Sequence, residues 1–261
     1  MMYEFFAQTD PGLTRDNNED SVTFDESCCL GVLADGMGGY NAGEVASGMA
    51  TAFIKSELGR WLRATQQLAP LKDTRRAMEI CVGNANRSIY NAANAHPQYA
   101  GMGTTLVLSV FQQDRLLLGH IGDSRCYRYR RGQLRQITKD HSLLQEQFDA
   151  GLITAEQMAT AANKNLVTRA LGVDPEVELE LSEYRVESDD LYLMCSDGLS
   201  DMVDTPALLA LLQTTSTLPE LAEKLIASAN ASGGRDNISV LLARAHENAK
   251  PRGLWARLLG K

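Results

Sequence analysis

Four aspartates in this chain stand where an apolar run stops or starts. Asp35 follows Cys28–Ala34, Asp123 follows Leu116–Gly122, Asp197 follows Leu191–Ser196, and Asp236 lies just ahead of Ile238–Ala243. Three adjoin a glycine, as Asp35-Gly36, Gly122-Asp123 and Asp197-Gly198. Any one alone reads as a turn residue, because Asp and Gly both favour turns. Four together imply more. Strand ends can converge in space, and converging carboxylates repel unless a proton or a cation stands between them. The fitting cations are Mg2+ and Mn2+, which take oxygen ligands and keep several waters. A neighbouring glycine lets a backbone carbonyl approach such an ion closely. The histidines, His96, His120, His141 and His246, are scattered and no Cys-x-x-Cys occurs, so no zinc spacing competes.

The segment Gly12-Leu-Thr-Arg15-Asp-Asn-Asn-Glu19-Asp20-Ser21 adds an arginine and two adjacent carboxylates. A guanidinium near a metal cluster suits bidentate capture of a phosphate. Glu19 and Asp20 are suited to orienting metal-bound waters. Standing alone, the segment also reads as a polar surface loop.

The elements that must hold these residues follow from periodicity. Residues 2–8 and 28–34 read as strands, the second a continuous apolar run of the kind buried on both faces, with Cys28-Cys29 in its core. A glycine-rich turn at 36–43 leads into helices over about 44–63 and 74–95, the second stopped by His96-Pro97. Thr104–Phe111, Arg115–Ile121 and Arg125–Arg130 are β-rich with turns between them, which predicts an antiparallel meander. Residues 142–163 read as polar helix. Strands follow at 176–185 and 190–196, helices at about 205–213 and 218–230, and a last strand at 238–243. Strands adjacent in sequence and helices in separate blocks predict an α+β layering rather than a doubly wound sheet. With no repeat or linker, the expectation is one domain over 1–245 and a short tail over 246–261.

Composition narrows the class. The 261 residues are 44% hydrophobic and 22% charged, which is ordinary for a globular chain and excludes collagen-like and disordered readings. The formal charge of −8 argues against general nucleic-acid binding, which needs a basic face. Five cysteines form no disulfide framework, and reduced thiols suggest the cytosol. Neither a signal peptide nor a membrane-length apolar run is visible, so no integral membrane segment is expected.

The chain resembles the metal-dependent serine/threonine protein phosphatases of the PPM (type 2C) family, in their compact bacterial form. The resemblance rests on eight motifs in order. They are Arg15 with Asn18-Glu19-Asp20, Ala34-Asp35-Gly-Met-Gly-Gly39, Gly103-Thr104-Thr105 and Gly122-Asp123-Ser124-Arg125. Then come Thr138-Lys-Asp-His141-Ser142, Leu166-Val-Thr-Arg-Ala-Leu-Gly172, Cys195-Ser-Asp197-Gly198-Leu199 with Asp201, and Gly234-Arg-Asp236-Asn237.

The resemblance implies a four-layer α/β/β/α sandwich with two central antiparallel sheets, and a phosphatase domain with a flap at about 142–165. It implies two core Mn2+ or Mg2+ ions and a third, weaker one. Asp35 would bridge the core pair, the Gly36 carbonyl would bind one ion, and Asp197 and Asp236 the other. Asp123 with Asp197 and Asp201 would form the third site. Glu19 and Asp20 would act through waters, Asn237 would support the cluster, and Arg15 would clamp the phosphate. The implied reaction is direct in-line attack of a metal-bridging water on phosphoserine or phosphothreonine, with Arg15, Asp35 and Asp236 as its central residues.

Many eukaryotic members of the family carry a histidine where this chain, like many bacterial members, has Met37; a metal-bound water is the expected proton donor, and His120 is expected inside a strand. The implied partners are phosphorylated proteins and a serine/threonine kinase, with a cytoplasmic monomer as the default. The tail Lys250–Lys261 could form a basic amphipathic helix through Leu254, Trp255, Leu258 and Leu259, docking on a partner, a membrane surface or its own domain. The competing readings are a catalytically weak or dead phosphatase-like binder of phosphoproteins and a phosphatase with a non-protein or narrowly regulatory substrate. A nucleotide binder using the glycine loop is disfavoured, because that loop lacks the Lys-Ser/Thr of a P-loop.

Overall fold

In the computed structural model the longest apolar runs become the middles of two antiparallel sheets. Residues 1–39, 42–66, 68–161, 166–214 and 216–247 are described, so most of the tail and the flap residues 162–165 lie outside them. One sheet is ordered β1 (Met2–Asp10), β11 (Ile238–His246), β10 (Leu191–Cys195), β7 (Arg125–Arg130) and β8 (Gln133–Gln136). The other is ordered β2 (Asp20–Asp25), β3 (Leu30–Met37), β5 (Leu106–Gln112), β6 (Arg115–Ile121) and β9 (Glu180–Arg185), with the short β4 (Gly103–Thr104) beside the end of β3.

Side-chain alternation sorts the core into three layers. Inward-facing Leu33, Val107, Phe111, Leu116, Tyr192, Met194 and Leu241 fill the space between the sheets. On the second sheet's outer face lie α1 (Ala42–Ala64) and α2 (Leu71–Ala95), which bury Ile54, Leu58, Leu62, Met78 and Ile89. On the first sheet's outer face lie α6 (Thr205–Leu212) and α7 (Leu218–Ala231). The buried stripe of α7, Leu218, Leu221, Ala222, Leu225, Ile226 and Ala229, has the spacing of a single apolar face. A capping box formed by Thr217 and Glu220 starts it. The result is the expected α/β/β/α sandwich. Among the described residues no helix is long and apolar enough to cross a membrane.

Several expectations need correction. The meander does not form, because β6 and β7 belong to different sheets. The chain crosses between them at Gly122-Asp123-Ser124, where Gly122 takes a φ of +100 that favours glycine. The crossing is braced by Arg125, which bonds Asp140 through Nε and Nη2, and by His141 N–H, which donates to Gly122 O at 2.8 Å. Asp20–Asp25 is a strand rather than part of a loop; its short polar sequence hides a pairing with β3 that runs from Asp20 opposite Asp35 to Asp25 opposite Leu30. Cys28 and Cys29 precede β3 in a single 3-10 turn capped by the Asp25 side chain, and Cys29 has a φ of +52.

Asp35 lies inside β3, which continues to Met37. Residues 142–163 contain two short helices, α3 (Leu143–Asp149) and α4 (Ala155–Thr160), rather than one. The strand expected over 176–185 begins only at Glu180, and β11 runs on to His246, paired with Met2. A four-residue helix, α5 (Asp197–Ser200), follows β10 directly.

Candidate metal centre

The site forms where the two sheets meet at one edge. A cavity of about 220 Å3 is lined by Arg15, Glu19, Asp35, Gly36, Asp123, Asp197 and Asp236, with Met37, Gly38, Thr105 and Val167 completing it. Each carboxylate arrives on a different element. Asp35 comes from β3, Asp123 from the crossing between the sheets, Asp197 from the start of α5, and Asp236 from the turn before β11. Of the expected residues, Asp20 sits just behind this cavity, paired across the ladder with Asp35. Asp201 lines an adjoining cleft that shares Asp123 and Asp197 with the cavity.

Backbone contacts hold the carboxylates in place. Asp35 N–H donates to Thr105 Oγ1 at 3.0 Å, and Asp35 O accepts from Thr105 N and Thr104 Oγ1, both at 2.8 Å. Thr105 Oγ1 also pairs with Ser124 Oγ at 2.7 Å, tying the Asp35 strand to the Asp123 crossing. A Cβ on Gly36 would strike the carbonyls of Gly43 and Glu19, so only glycine fits between Asp35 and the opposing chain. Asp20 Oδ2 accepts from Ser196 Oγ at 2.8 Å. Thr104, Thr105, Ser124, Ser196 and Val167 were not singled out as site residues from sequence. The quoted motifs contain all five of them, as residues to which no role was assigned.

The N-terminal segment is clamped by Asn237. Its Oδ1 accepts from Glu19 N at 2.8 Å, and its Nδ2 donates to Asn17 O at 2.9 Å and Pro11 O at 3.1 Å. Arg15 is thereby carried to Asp236, where Nη2 donates to Oδ2 at 2.7 Å. Asn237→Ala would leave a part-buried N–H and two part-buried carbonyls without these partners, and a fully buried group left unsatisfied costs about 1–3 kcal/mol. Urea unfolding should show a loss of roughly 2–4 kcal/mol, and kcat/KM should fall because Arg15 loses its anchor. Unchanged stability and kinetics would contradict the clamp.

The electrostatics are those of crowded, buried carboxylates, with Arg15 paired to Asp236. Burial, then repulsion from Asp20, Asp197, Asp123 and Asp236, pushes the Asp35 carboxyl well above its ordinary range. Burial followed by Asp123 and Asp236 does the same to Asp197. Burial, partly offset by Ser196, pushes Asp20 up to about 7, and burial followed by Asp140 pushes Asp123 up to about 6. Burial also raises Glu19. Arg15 is raised by its hydrogen bond to Asp236. Asp20 Oδ1 is buried and meets no N–H or O–H donor. An all-oxygen donor set, a bare buried carboxylate oxygen and a glycine that admits only backbone fit hard divalent cations.

A second trio of metal-binding types, His120, His141 and Glu180, brings its ligand atoms within 4.8 Å of one another. The hydrogen bonds argue against an ion there. Gly122 N–H donates to His141 Nδ1 at 3.1 Å, which leaves the ring proton on Nε2, facing Glu180 Oε2 at 3.1 Å. His141 therefore has no lone pair to offer. His120 lies buried in β6, stacked on His141 at 4.3 Å, and burial followed by His141 pushes it down to about 4. It is a neutral brace outside the cavity, in keeping with its expected place inside a strand.

The comparisons with known proteins give the family. The protein phosphatase 2C family profile matches residues 13–239. The chain belongs to the protein phosphatase 2C family. The serine/threonine phosphatase stp of Listeria monocytogenes is 36% identical over 248 residues, covering 94% of this chain and 97% of that protein. The solved serine/threonine phosphatase of S. agalactiae superposes with a TM-score of 0.86 at 34% identity, covering 94% of this chain and all of that one. The catalytic domain of the serine/threonine protein phosphatase PstP, solved in complex with two manganese ions, superposes with a TM-score of 0.82 at 39% identity, covering 94% and 99%. This protein phosphatase 2C is a hydrolase of phosphorylated serine and threonine.

Proposed function

We propose that Asp35, the Gly36 carbonyl, Asp197 and Asp236 hold two Mn2+ or Mg2+ ions, that Asp123 and Asp201 with Asp197 hold a third, and that Arg15 binds the substrate phosphate. The observation that carries this reading is the convergence of Asp35, Asp123, Asp197 and Asp236 with Arg15 on one cavity of about 220 Å3. Manganese in the PstP catalytic domain supports the choice of cation. When bound, such ions lower the pKa of a coordinated water toward neutrality and neutralise phosphoryl oxygens.

The chain's own residues do the rest. Glu19 and Asp20 would orient metal-bound waters by accepting hydrogen bonds from them. Arg15 is half exposed and spends one N–H on Asp236, so its remaining donors can take the oxygens of a phosphate. Those donors stabilise the charge that builds on the phosphoryl group during in-line displacement. Met37 and Val167 border the cavity and carry no exchangeable proton. His120 is buried elsewhere. With no histidine in the cavity lining, we assign the proton of the leaving alkoxide to a water held at the cluster.

Arg15→Ala should lower kcat/KM on a phosphothreonine peptide by about 10²-fold, by analogy with the loss of one transition-state donor. Mn2+ affinity, read by calorimetry, should be retained. An unchanged kcat/KM would remove Arg15 from phosphate binding. The biological setting that best fits such an enzyme is a cytoplasmic monomer that reverses a serine/threonine kinase. Co-incubation with a candidate kinase and loss of that kinase's own phosphate would test the pairing.

A further inference from the structure

We propose that the cleft beside the metal cavity receives the polypeptide flanking the phosphoresidue and selects a lysine or arginine there through Asp204. The proposal rests on the placement of the reacting phosphate at Asp35, Asp197 and Asp236. The cleft measures about 750 Å3, within the range of ordinary ligand sites and ample for one long side chain and its backbone. Asp123 and Asp197 line both it and the smaller cavity, so a chain anchored by its phosphate enters the cleft directly.

The walls have a particular chemistry. Phe148 and Met158 from α3 and α4 line it, as do Met202 and Val203 after α5 and the carboxylates of Asp140 and Asp201. Phe148 keeps 40% of its surface exposed, an apolar ring left in the open beside the active site. Such walls suit the methylene stem of a long cationic side chain. The lining guanidinium, Arg125, is committed to Asp140 through three hydrogen bonds. Asp204 stands at the start of α6, exposed, and has no ion-pair partner among the described residues. Its Oδ1 caps the helix by accepting from Ala207 N at 2.9 Å, which leaves its charge and second oxygen facing solvent. Apolar lining side chains beside an exposed carboxylate match an arginine or lysine, and the carboxylate repels an acidic flank.

Phosphothreonine peptides carrying Arg, Leu or Glu at each of the four positions on either side of the phosphoresidue, cleaved with Mn2+, test this. p-Nitrophenyl phosphate reports whether the sample turns over at all. At one or two positions on one side, wild type should prefer Arg over Glu by about fivefold in kcat/KM, the scale of an exposed ion pair. Asp204→Asn keeps the helix cap but removes the charge, so the Arg-to-Glu ratio should fall close to one. Because each ratio is taken within one variant, a general loss of activity cancels.

Equal rates for Arg and Glu peptides in wild type, a preference for Leu over Arg, or a ratio that survives Asp204→Asn would each overturn the proposal. A folded wild type that hydrolyses neither the peptides nor the aryl phosphate would instead strike the metal-cavity assignment, and this proposal with it.

Discussion

Asp35→Asn should cut phosphate release by about 10³-fold or more while making the metal-free protein more stable. The two effects have one cause. Asp35 is the carboxylate that feels Asp20, Asp197, Asp123 and Asp236 together, and its pKa is raised by burial and by all four. Removing its charge relieves repulsion in the absence of cations. The same substitution would remove one of the proposed metal-ligand oxygens, on a backbone fixed by Thr104 and Thr105. Thermal unfolding with EDTA should show a higher midpoint than wild type, and the stabilisation by Mn2+ should shrink sharply. A variant that kept wild-type turnover, or that lost stability in EDTA, would contradict the role given to Asp35.

The metal-free enzyme should become less stable as pH rises from about 4 to about 8. The folded carboxyls of Asp20 and Asp123 sit at about 7 and about 6, above the ordinary value of 3.8. Between those values the folded state binds more protons than the unfolded state, so stability falls with rising pH. The extra stability is present near pH 4 and is lost as pH passes through 6 and 7. A pKa unit corresponds to about 1.4 kcal/mol, so Asp123 alone accounts for a change on the order of 3 kcal/mol. Cations reverse the trend, because they bind the deprotonated cluster. Urea midpoints in EDTA should therefore be higher at pH 5 than at pH 8, and the increment given by Mn2+ should be largest at pH 8. Equal midpoints at the two pH values in EDTA would mean that the carboxylates are not crowded as described.

Much of this site was legible in the sequence because its chemistry coincides with chain punctuation. Asp35, Asp123, Asp197 and Asp236 mark ends or turns of apolar runs, and glycines flank three of them. What sequence could not supply was which sheet each strand joins. Arg115–Ile121 and Arg125–Arg130 look like successive strands of a meander, yet Gly122 sends the second into the other sheet. That switch carries Asp123 to the edge shared by both sheets.

Asp20–Asp25 was missed for a different reason. Its strand character comes from pairing with β3 rather than from an apolar run, and the pairing sets Asp20 behind Asp35. The helper groups Thr105, Ser124 and Ser196 act through hydroxyl hydrogen bonds to partners 19 to 176 residues away. No local pattern reports such contacts. The cleft with Phe148, Met158 and Asp204 likewise exists only once the flap helices are set against α5 and α6.

The most direct test of the whole account is phosphate release from a phosphothreonine peptide by wild-type protein, measured with Mn2+, with Mg2+ and with EDTA in parallel. The account predicts turnover with a divalent cation, none with EDTA, and recovery when Mn2+ is added back. Hydrolysis that persists in EDTA, or a folded and Mn2+-loaded sample that releases no phosphate, would contradict it.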